Sequence, residues 1–457
     1  MTFLNRQQYL ASLPDSGVSL VIAGAGTGKT KTLVEKVRNI ISAGVAKPEE
    51  ILILTFSSKA AQEIKDRVKS GIGNGAEYIN SGTFHSFCLN FLRNNERPFK
   101  SSYGFVNFPR VIDQEEKVKL LKDELQNSLD RFLGLPVDVT AGLIDGVERL
   151  DKRIYEKLER MGITEELRDI RERYKIHKIS HGLIDFNDMM EYTISILSNN
   201  EFIRQDAISK YKYIFVDEFQ DTSEDNFLLI RLLLPDANPN LFLVGDDWQS
   251  IYGFRGSKVE YIVKMKKYFP DSMIYKLNLN YRSRKEIVKF TNNFIKKNKY
   301  RTSKKLKSAM GKGGIILDFC VDTLEEEVKV ISDILKTEKG KAQKGSNAVA
   351  ILFRNNWQGN YILNSLQSEG IETDKLTFLT MHSSKGLEFD TVIIAGVSEK
   401  IIPDASADIE EERRLFYVAL TRAKNALCIV HHRSADGELS IFARELGFEK
   451  RKNKIPS

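Results

Sequence analysis

Ala23-Gly24-Ala25-Gly26-Thr27-Gly28-Lys29-Thr30 follows the apolar run Val18 to Ile22 and precedes Leu33, Val34, Val37, Ile40 and Ile41, which recur as one stripe. An apolar run, a glycine-rich turn and a helical stripe read as strand, loop and amphipathic helix. Backbone N–H groups of such a loop cradle phosphates, and the start of the following helix adds its positive dipole end. On this reading Ala23 through Lys31 surround the phosphates of a nucleoside triphosphate. Lys29 neutralises the β- and γ-phosphates, and the Thr30 hydroxyl ligates Mg²⁺. Ala23 stands where the usual first glycine belongs, so the bare GxxxxGK[ST] pattern is not met. The bland alternative is a glycine-rich strand-to-helix turn. The flanking strand and helix favour phosphate binding.

Far along the chain, Glu411-Glu412-Arg413-Arg414-Leu415-Phe416-Tyr417-Val418-Ala419-Leu420-Thr421-Arg422-Ala423-Lys424 offers arginines that can reach a triphosphate. A phosphate loop answered by a distant cation is the layout of a cleft that nucleotide turnover opens and closes. The length of 457 residues suggests about three domains at ~150 residues each. Hydrophobic residues make up 42% and charged residues 29%, the balance of a soluble globular protein. Net charge is +7, from 69 basic and 62 acidic residues, a modest excess compatible with an anionic partner. Cys88, Cys320 and Cys428 form no CxxC pair, which suits a reducing compartment. No apolar run approaches a membrane span, and the start MTFLNRQQYL lacks a signal-peptide core. A cytoplasmic protein with no membrane partner is expected.

Short apolar runs alternating with amphipathic stretches predict an α/β protein with parallel sheets. Strands are expected at Val18–Ile22, Ile51–Phe56, Tyr213–Asp217, Leu241–Gly245, Ile315–Phe319, Ala348–Phe353, Val392–Val397 and Ala426–Val430. From about Phe91 to Lys210 the strand signal fades into charged helices, such as Asp113–Leu133 and Ala141–Tyr174. A helical insertion in the first α/β domain follows. The lysine-rich stretch Lys296 to Lys312 reads as surface connection. Strand counting alone leaves open a single large sheet with a helical lid.

Two further segments carry chemistry. Tyr213-Ile214-Phe215-Val216-Asp217-Glu218 is a strand ending in two acids. Asp217 can hold Mg²⁺, and Glu218 can orient and deprotonate an attacking water. Such pairs also serve as helix caps. Leu243 to Gly256 contains Gln249, which can reach a γ-phosphate, and Tyr252 and Phe254 beside Arg255. Aromatic faces next to a basic side chain suit base stacking, although isolated aromatics more often pack beneath a loop.

The order of these segments resembles the UvrD/Rep/PcrA family of superfamily 1 DNA helicases. Leu4 to Ala11 resembles the family's Q motif, which implies that Gln8 reads the adenine edge. Thr55-Phe56-Ser57-Ser58-Lys59-Ala60-Ala61 resembles motif Ia, with Ser58 where Asn is common. Gly82-Thr83-Phe84-His85-Ser86-Phe87 matches another DNA-contact motif, and Asp217-Glu218-Phe219-Gln220-Asp221-Thr222 is similar to motif II almost letter for letter. Asn280-Tyr281-Arg282-Ser283 resembles motif IV, implying that Tyr281 stacks on adenine and Arg282 contacts the γ-phosphate. Thr380 to Phe389 resembles motif V, with Glu388 toward the ribose and His382 toward DNA. Glu411 to Lys424 resembles motif VI, with Arg422 as a second arginine finger.

The resemblance implies two RecA-like P-loop NTPase domains. They would comprise residues 1–90 with 211–275, carrying a helical insertion at 91–210, and residues 276–457. It also implies ATP and Mg²⁺ as cofactors and 3′→5′ movement on single-stranded DNA with duplex unwinding. Lys29, Asp217, Glu218, Gln249, Arg282 and Arg422 would carry catalysis, and Phe56, Ser58, His85, Tyr252, Phe254, Arg255, Asn355 and His382 would meet DNA. Two departures stand out. Trp248 occupies a position that is acidic in many members, so GDDWQ is closer to the helicase IV branch. Between Arg354 and Thr380 there is room for one helix, Gly359–Glu369, and a turn, where most relatives insert the duplex-contacting 2B subdomain. The insertion is absent or vestigial near 354–376. Duplex contact is then expected from the helical insertion, from a protein partner, or not at all. A translocase or clamp that unwinds little by itself is the alternative function.

Overall fold

The computed structural model describes residues 4–125, 159–160, 162, 164–339, 349–405, 407–434 and 436–448. Two compact units emerge. One comprises Met1–Ile40, Asp217–Asp221 and Phe242–Ser457, and the other Ile41–Val216 and Thr222–Leu241.

The first unit holds a five-stranded parallel sheet in the order Ile315–Val321, Ala423–His432, Phe389–Val397, Val349–Phe353, Thr377–Thr380. Side chains alternate across a strand, and a strand covered on both faces must therefore be apolar throughout. Val392 and Ile394 face Ile287, Phe294, Leu415 and Phe416, from the helices Lys285–Ile295 and Ile409–Leu420. Their neighbours Ile393 and Ala395 face Ile331, Ile362 and Leu366, from the helices Leu324–Lys339 and Asn356–Ser368. That double burial explains why the run 392–397 is apolar without alternation. The same unit contains Leu241–Gly245 from Phe242 onward, Val18–Ile22 and Met273–Lys276, adjacent in that order, the last two paired in parallel. Val18–Ile22 ends in the phosphate-type loop, and the helix Lys29–Ser42 begins directly after it.

In the second unit Asn80–Thr83, Ile51–Thr55 and Tyr213–Val216 run parallel in that order. Its helices start where short polar side chains cap them. Ser57 accepts from Ala60 N–H before Ser58–Ile72, and Thr83 accepts from Ser86 N–H before Phe84–Asn94. Asp185 accepts from Asn187 and Asp188 N–H before Phe186–Asn199. The helices Gln114–Leu125 and Thr164–Ser180 fall within the expected helical stretch. The remainder of the two helices expected at 113–133 and 141–174 lies outside the described residues, apart from residues 159, 160 and 162.

All eight expected strands form, several with longer ends: Phe389–Val397 and Ala423–His432 start earlier than their apolar cores. Asn80–Thr83, Met273–Lys276 and Thr377–Thr380 escape sequence reading, because short, partly polar strands carry no apolar run. The stretch 296–312 corrects the expectation of a surface connection. Asn298, Lys304 and Leu306 are buried within it, while Lys305 and Lys307 alternate outward. Between Phe353 and Thr377 stands the single helix Asn356–Ser368.

A close approach in this helix is testable. Gly359 lies against the Phe353 ring, which a Cβ at that position would overlap. Alanine normally gains ~1 kcal/mol over glycine in a helix, but overpacking a buried ring costs ~1–3 kcal/mol. Gly359→Ala should therefore lower stability in denaturant unfolding, and an unchanged or higher midpoint would remove this packing claim.

Candidate active site

The loop conformation depends on two glycines. Gly26 and Gly28 have φ of +65° and +82°, a region that side chains disfavour. Space is equally restrictive: a Cβ at Gly26 would sit 2.6 Å from Arg282 Cβ, and one at Gly28 2.6 Å from Gln8 Nε2. Thr27 ties the loop to itself, its hydroxyl donating to Gly24 O at 2.9 Å. Gln8 is buried and donates to Thr27 O at 3.0 Å, while its Oε1 accepts from Asn5 N–H at 3.0 Å. Its amide is thus fixed beside the loop by both ends. Tyr281 N–H donates to Gly26 O at 2.8 Å, and the half-exposed Tyr281 hydroxyl accepts from Asn5 at 2.9 Å. Lys31 follows at the helix start, half-buried.

Lys29 donates to Glu218 Oε2 at 2.6 Å. Burial alone would lower the lysine pKa, but the charges of Glu218, Asp246 and Asp217 outweigh it and raise it. Glu218 moves the opposite way: burial opposes ionisation, and Lys29 and Lys385 overcome it, holding the carboxylate below its usual range. Asp217 is pushed up by burial and by the adjacent Glu218 charge, and it accepts a hydrogen bond from Thr30. Glu218 itself adopts φ +51°. A non-glycine residue in that region costs on the order of 1–3 kcal/mol, the kind of strain that clusters at functional sites.

From Glu218 a chain of hydrogen bonds runs across the unit. Gln220 Nε2 donates to Glu218 Oε2 at 2.6 Å, and Gln220 Oε1 accepts from Asp246 N–H at 2.8 Å. Asp246 Oδ2 accepts a short bond from Gln249 Nε2. Gln249 Oε1 in turn accepts from Arg422 Nη2 at 2.9 Å. Arg422 is buried, and burial together with nearby Arg282 lowers its pKa to about 9. Arg282 points elsewhere, donating from Nε to Glu388 at 2.8 Å and from Nη1 to Thr421 O at 3.2 Å. Glu388 also pairs with Lys424 at 2.8 Å. Lys29, Asp217, Glu218, Gln249 and Arg422 thus converge, while Arg282 and Glu388 satisfy one another at its side.

Sequence reasoning misses Gln220, Asp246 and Lys385 as site residues. Lys385 donates to Asp221 at 2.5 Å and to Gln249 O at 3.0 Å. Each lies inside a segment already quoted for the resemblance. The available signal is their position close to selected residues, but the contacts that link segments, Gln220 with Asp246 and Lys385 with Asp221 and Gln249, span too much sequence to be read.

The residues expected to meet DNA fall in both units. In the first, Phe254 is exposed and meets His382 edge-on at 5.8 Å, and Arg255 lies 5.4 Å from the rings of both Tyr252 and Phe254. Tyr252 is half-buried, packs against the core and has Lys385 4.6 Å above its ring. Asn355 caps the helix Asn356–Ser368 together with Gln358. In the second unit Phe56 packs against Phe84 at 5.3 Å, Ser58 opens its helix in solvent, and His85 meets Phe186 edge-on at 5.4 Å.

Comparison with known proteins identifies the family. The UvrD/REP helicase N-terminal domain matches residues 4–270, and the UvrD-like helicase C-terminal domain matches residues 275–377 and 372–434. The chain belongs to the UvrD/REP helicase family. A probable DNA helicase of Mycoplasma pneumoniae is 29% identical across 94% of this chain and 83% of its own length. DNA helicase II of Rickettsia typhi is 33% identical over 78% of this chain, and the ATP-dependent DNA helicase PcrA of Staphylococcus aureus 29% over 79%. The chain spans 54% and 49% of those two relatives, about half their length. No helix among the described residues is long and apolar enough to cross a membrane.

His382 provides a pH test. Burial, with Arg354, Arg255 and Lys385 nearby, lowers its pKa to about 4. Between pH 6.5 and 4 the unfolded chain takes up a proton that the folded one refuses, so stability falls as pH falls through that window. Histidine NMR should place this ring's midpoint near 4, and His382→Gln should lose less stability than the parent on acidification from pH 6.5. A midpoint near 6.5 would contradict the buried, cation-flanked setting.

Proposed function

We propose that the chain is an ATP-dependent motor that moves 3′→5′ on single-stranded DNA and separates duplex strands ahead of it. The chain of hydrogen bonds from Lys29 through Glu218, Gln220, Asp246 and Gln249 to Arg422 carries this reading. It connects a phosphate-binding lysine, a candidate base, a γ-phosphate sensor and an arginine finger in one hydrogen-bonded series. The 3′→5′ polarity rests on family membership. We assign residues 1–90 and 211–275 to the first RecA-like domain, 91–210 to its insertion and 276–457 to the second.

ATP would be held with its phosphates by Ala23 to Lys31, its adenine by Gln8 and Tyr281, and its ribose by Glu388. Thr30 and Asp217 offer the hard oxygens that Mg²⁺ takes, and their mutual hydrogen bond brings the two donors together. The ion, when bound, supplies neutralisation of phosphate charge. Lys29 pairs with Glu218. As the lysine turns to phosphate, Glu218 loses its strongest stabilising charge, becomes more basic and can take a proton from water. Arg422 and Arg282 then act on the transferring phosphoryl, where such residues are worth ~10³–10⁵ in rate. A cytoplasmic setting suits a DNA substrate. Phe56, Ser58, His85, Tyr252, Phe254, Arg255, Asn355 and His382 hold the strand.

A second reading is a translocase or clamp that remodels protein–DNA complexes with little unwinding by itself. The single helix between Phe353 and Thr377 favours it, since no domain-sized insertion stands there to grip duplex. On either reading a protein partner can supply that grip.

One measurement tests hydrolysis, which both readings need, and a second separates them. Lys29→Ala should abolish hydrolysis by weakening nucleotide binding, whereas Glu218→Gln should keep nucleotide affinity and lose turnover. Near-normal turnover by Glu218→Gln would eliminate the assigned base. With 3′-tailed and 5′-tailed substrates, the chain should displace streptavidin from single strands and separate only short 3′-tailed duplexes. Processive unwinding of long duplex by the chain alone would refute the argument from the short connection, and activity confined to 5′ tails would refute the polarity.

A further inference from the structure

Lys304 belongs to a stretch whose lysines otherwise face solvent, yet its side chain is fully buried. All three ammonium protons have acceptors: Ala23 O at 2.8 Å, Asp246 Oδ1 at 2.5 Å and Asp247 Oδ1 at 2.8 Å. The charge also lies 4.7 Å from the Trp248 ring. Asp247 is held further by Thr302, which donates its hydroxyl at 2.6 Å and its backbone N–H at 2.7 Å. Asp246 accepts from Trp248 N–H at 3.1 Å on the oxygen shared with Lys304, and from Gln249 Nε2 on the other.

A buried ammonium is expensive unless every proton is bound, so a lysine kept here occupies one geometry. It touches the first residue of the phosphate loop at one end. At the other it fixes the carboxylate that sets the rotation of the Gln249 amide. With Nε2 committed to Asp246, Oε1 must face Arg422. We propose that Lys304 is a positioning residue for ATP hydrolysis, holding Asp246 so that Gln249 and Arg422 stay aligned with the phosphate loop. It acts through these groups and does not itself reach the nucleotide. The inference rests on the hydrolysis reading above and adds a residue to it from outside the family-like motifs.

The neighbouring acids also argue for more than packing. Leucine or methionine would fill the volume at lower desolvation cost, as replacement of buried ion pairs commonly shows. Two adjacent buried carboxylates need a cation only if they must remain ionised. Asp246 has that requirement, because a charged acceptor holds the Gln249 amide more tightly than a neutral one.

The test uses Lys304→Met, with the double variant Lys304→Met/Asp247→Asn as the foldable control. In the double variant the lost cation is matched by a lost anion, and Thr302 can still donate to the amide oxygen that replaces the Asp247 carboxylate. DNA-stimulated turnover and fluorescent-nucleotide affinity are measured for each folded protein. Expected is a turnover loss of ~10–100-fold, the scale of a catalytic group misplaced by about an ångström, with nucleotide affinity within about threefold of the parent. Gln249→Ala is added to the double variant as a cycle. Because both changes act through the same amide, it should lower turnover little further. A folded double variant with at least half the parent's turnover overturns the proposal, as does full additivity with Gln249→Ala. A parent without turnover would instead defeat the hydrolysis reading, so the two failures are distinct.

Discussion

Within the first unit, Lys29, Lys304, Asp246, Asp247 and Arg422 carry charge largely out of water. Each is tolerated because a neighbour of opposite charge or a hydrogen-bonding amide answers it, since removing one partner of a buried pair typically costs ~3–5 kcal/mol. The series therefore behaves as one body, not as a set of independent contacts. Its geometry is set from two sides. Strands ending at Gly245 and Val216 present Asp246 and Asp217 at their carboxyl ends, and Arg422 arrives from the end of the helix Ile409–Leu420.

The helix Ile409–Leu420 extends this body toward the exposed aromatics. Asp408 caps it, accepting from Glu410 and Glu411 N–H, and three acids in its first turn complement the dipole. Those acids are also committed individually. Glu410 accepts from Lys299 N–H at 2.6 Å, and Glu411 from Gly253 N–H at 2.8 Å. Glu412 pairs with Arg354 at 3.0 Å. Arg413 reaches Glu445 at 2.9 Å, and Arg414 donates to Tyr300 O at 3.0 Å. One helix thus grips the turn bearing Tyr252 and Phe254 at its start and delivers Arg422 just past its end.

Much of this is legible in the chain. Val18–Ile22, the glycine loop and the stripe after it are local patterns, and local patterns survive folding because each is fixed by its own backbone. The same holds for the acids after Tyr213–Val216 and for the apolar runs of the five-stranded sheet. Residue pattern suggests roles for Lys29, Glu218 and Gln249, the family resemblance implies one for Arg422, and one hydrogen-bond series joins the four. For Tyr252 sequence offers both stacking and packing, and its half-buried ring against the core has features of both.

What cannot be read has a common cause. Lys304 looks in sequence like one lysine among many between Lys296 and Lys312, and composition assigns all of them to the surface. Only the alternation Lys304-in, Lys305-out, Leu306-in, Lys307-out on an extended segment separates it, and the acids that require it lie more than fifty residues away. Lys385 is similar, and so is the Asp246 contact of Gln220: those partners are supplied by other segments, so that chemistry belongs to the fold. A motif reports residues that touch a ligand in common geometry. The residues that hold those in place need only satisfy a charge or a lone pair, and many sequences can do that from many places. Buried ionisable groups outside the motifs are therefore the place where structure adds most to a reading of function.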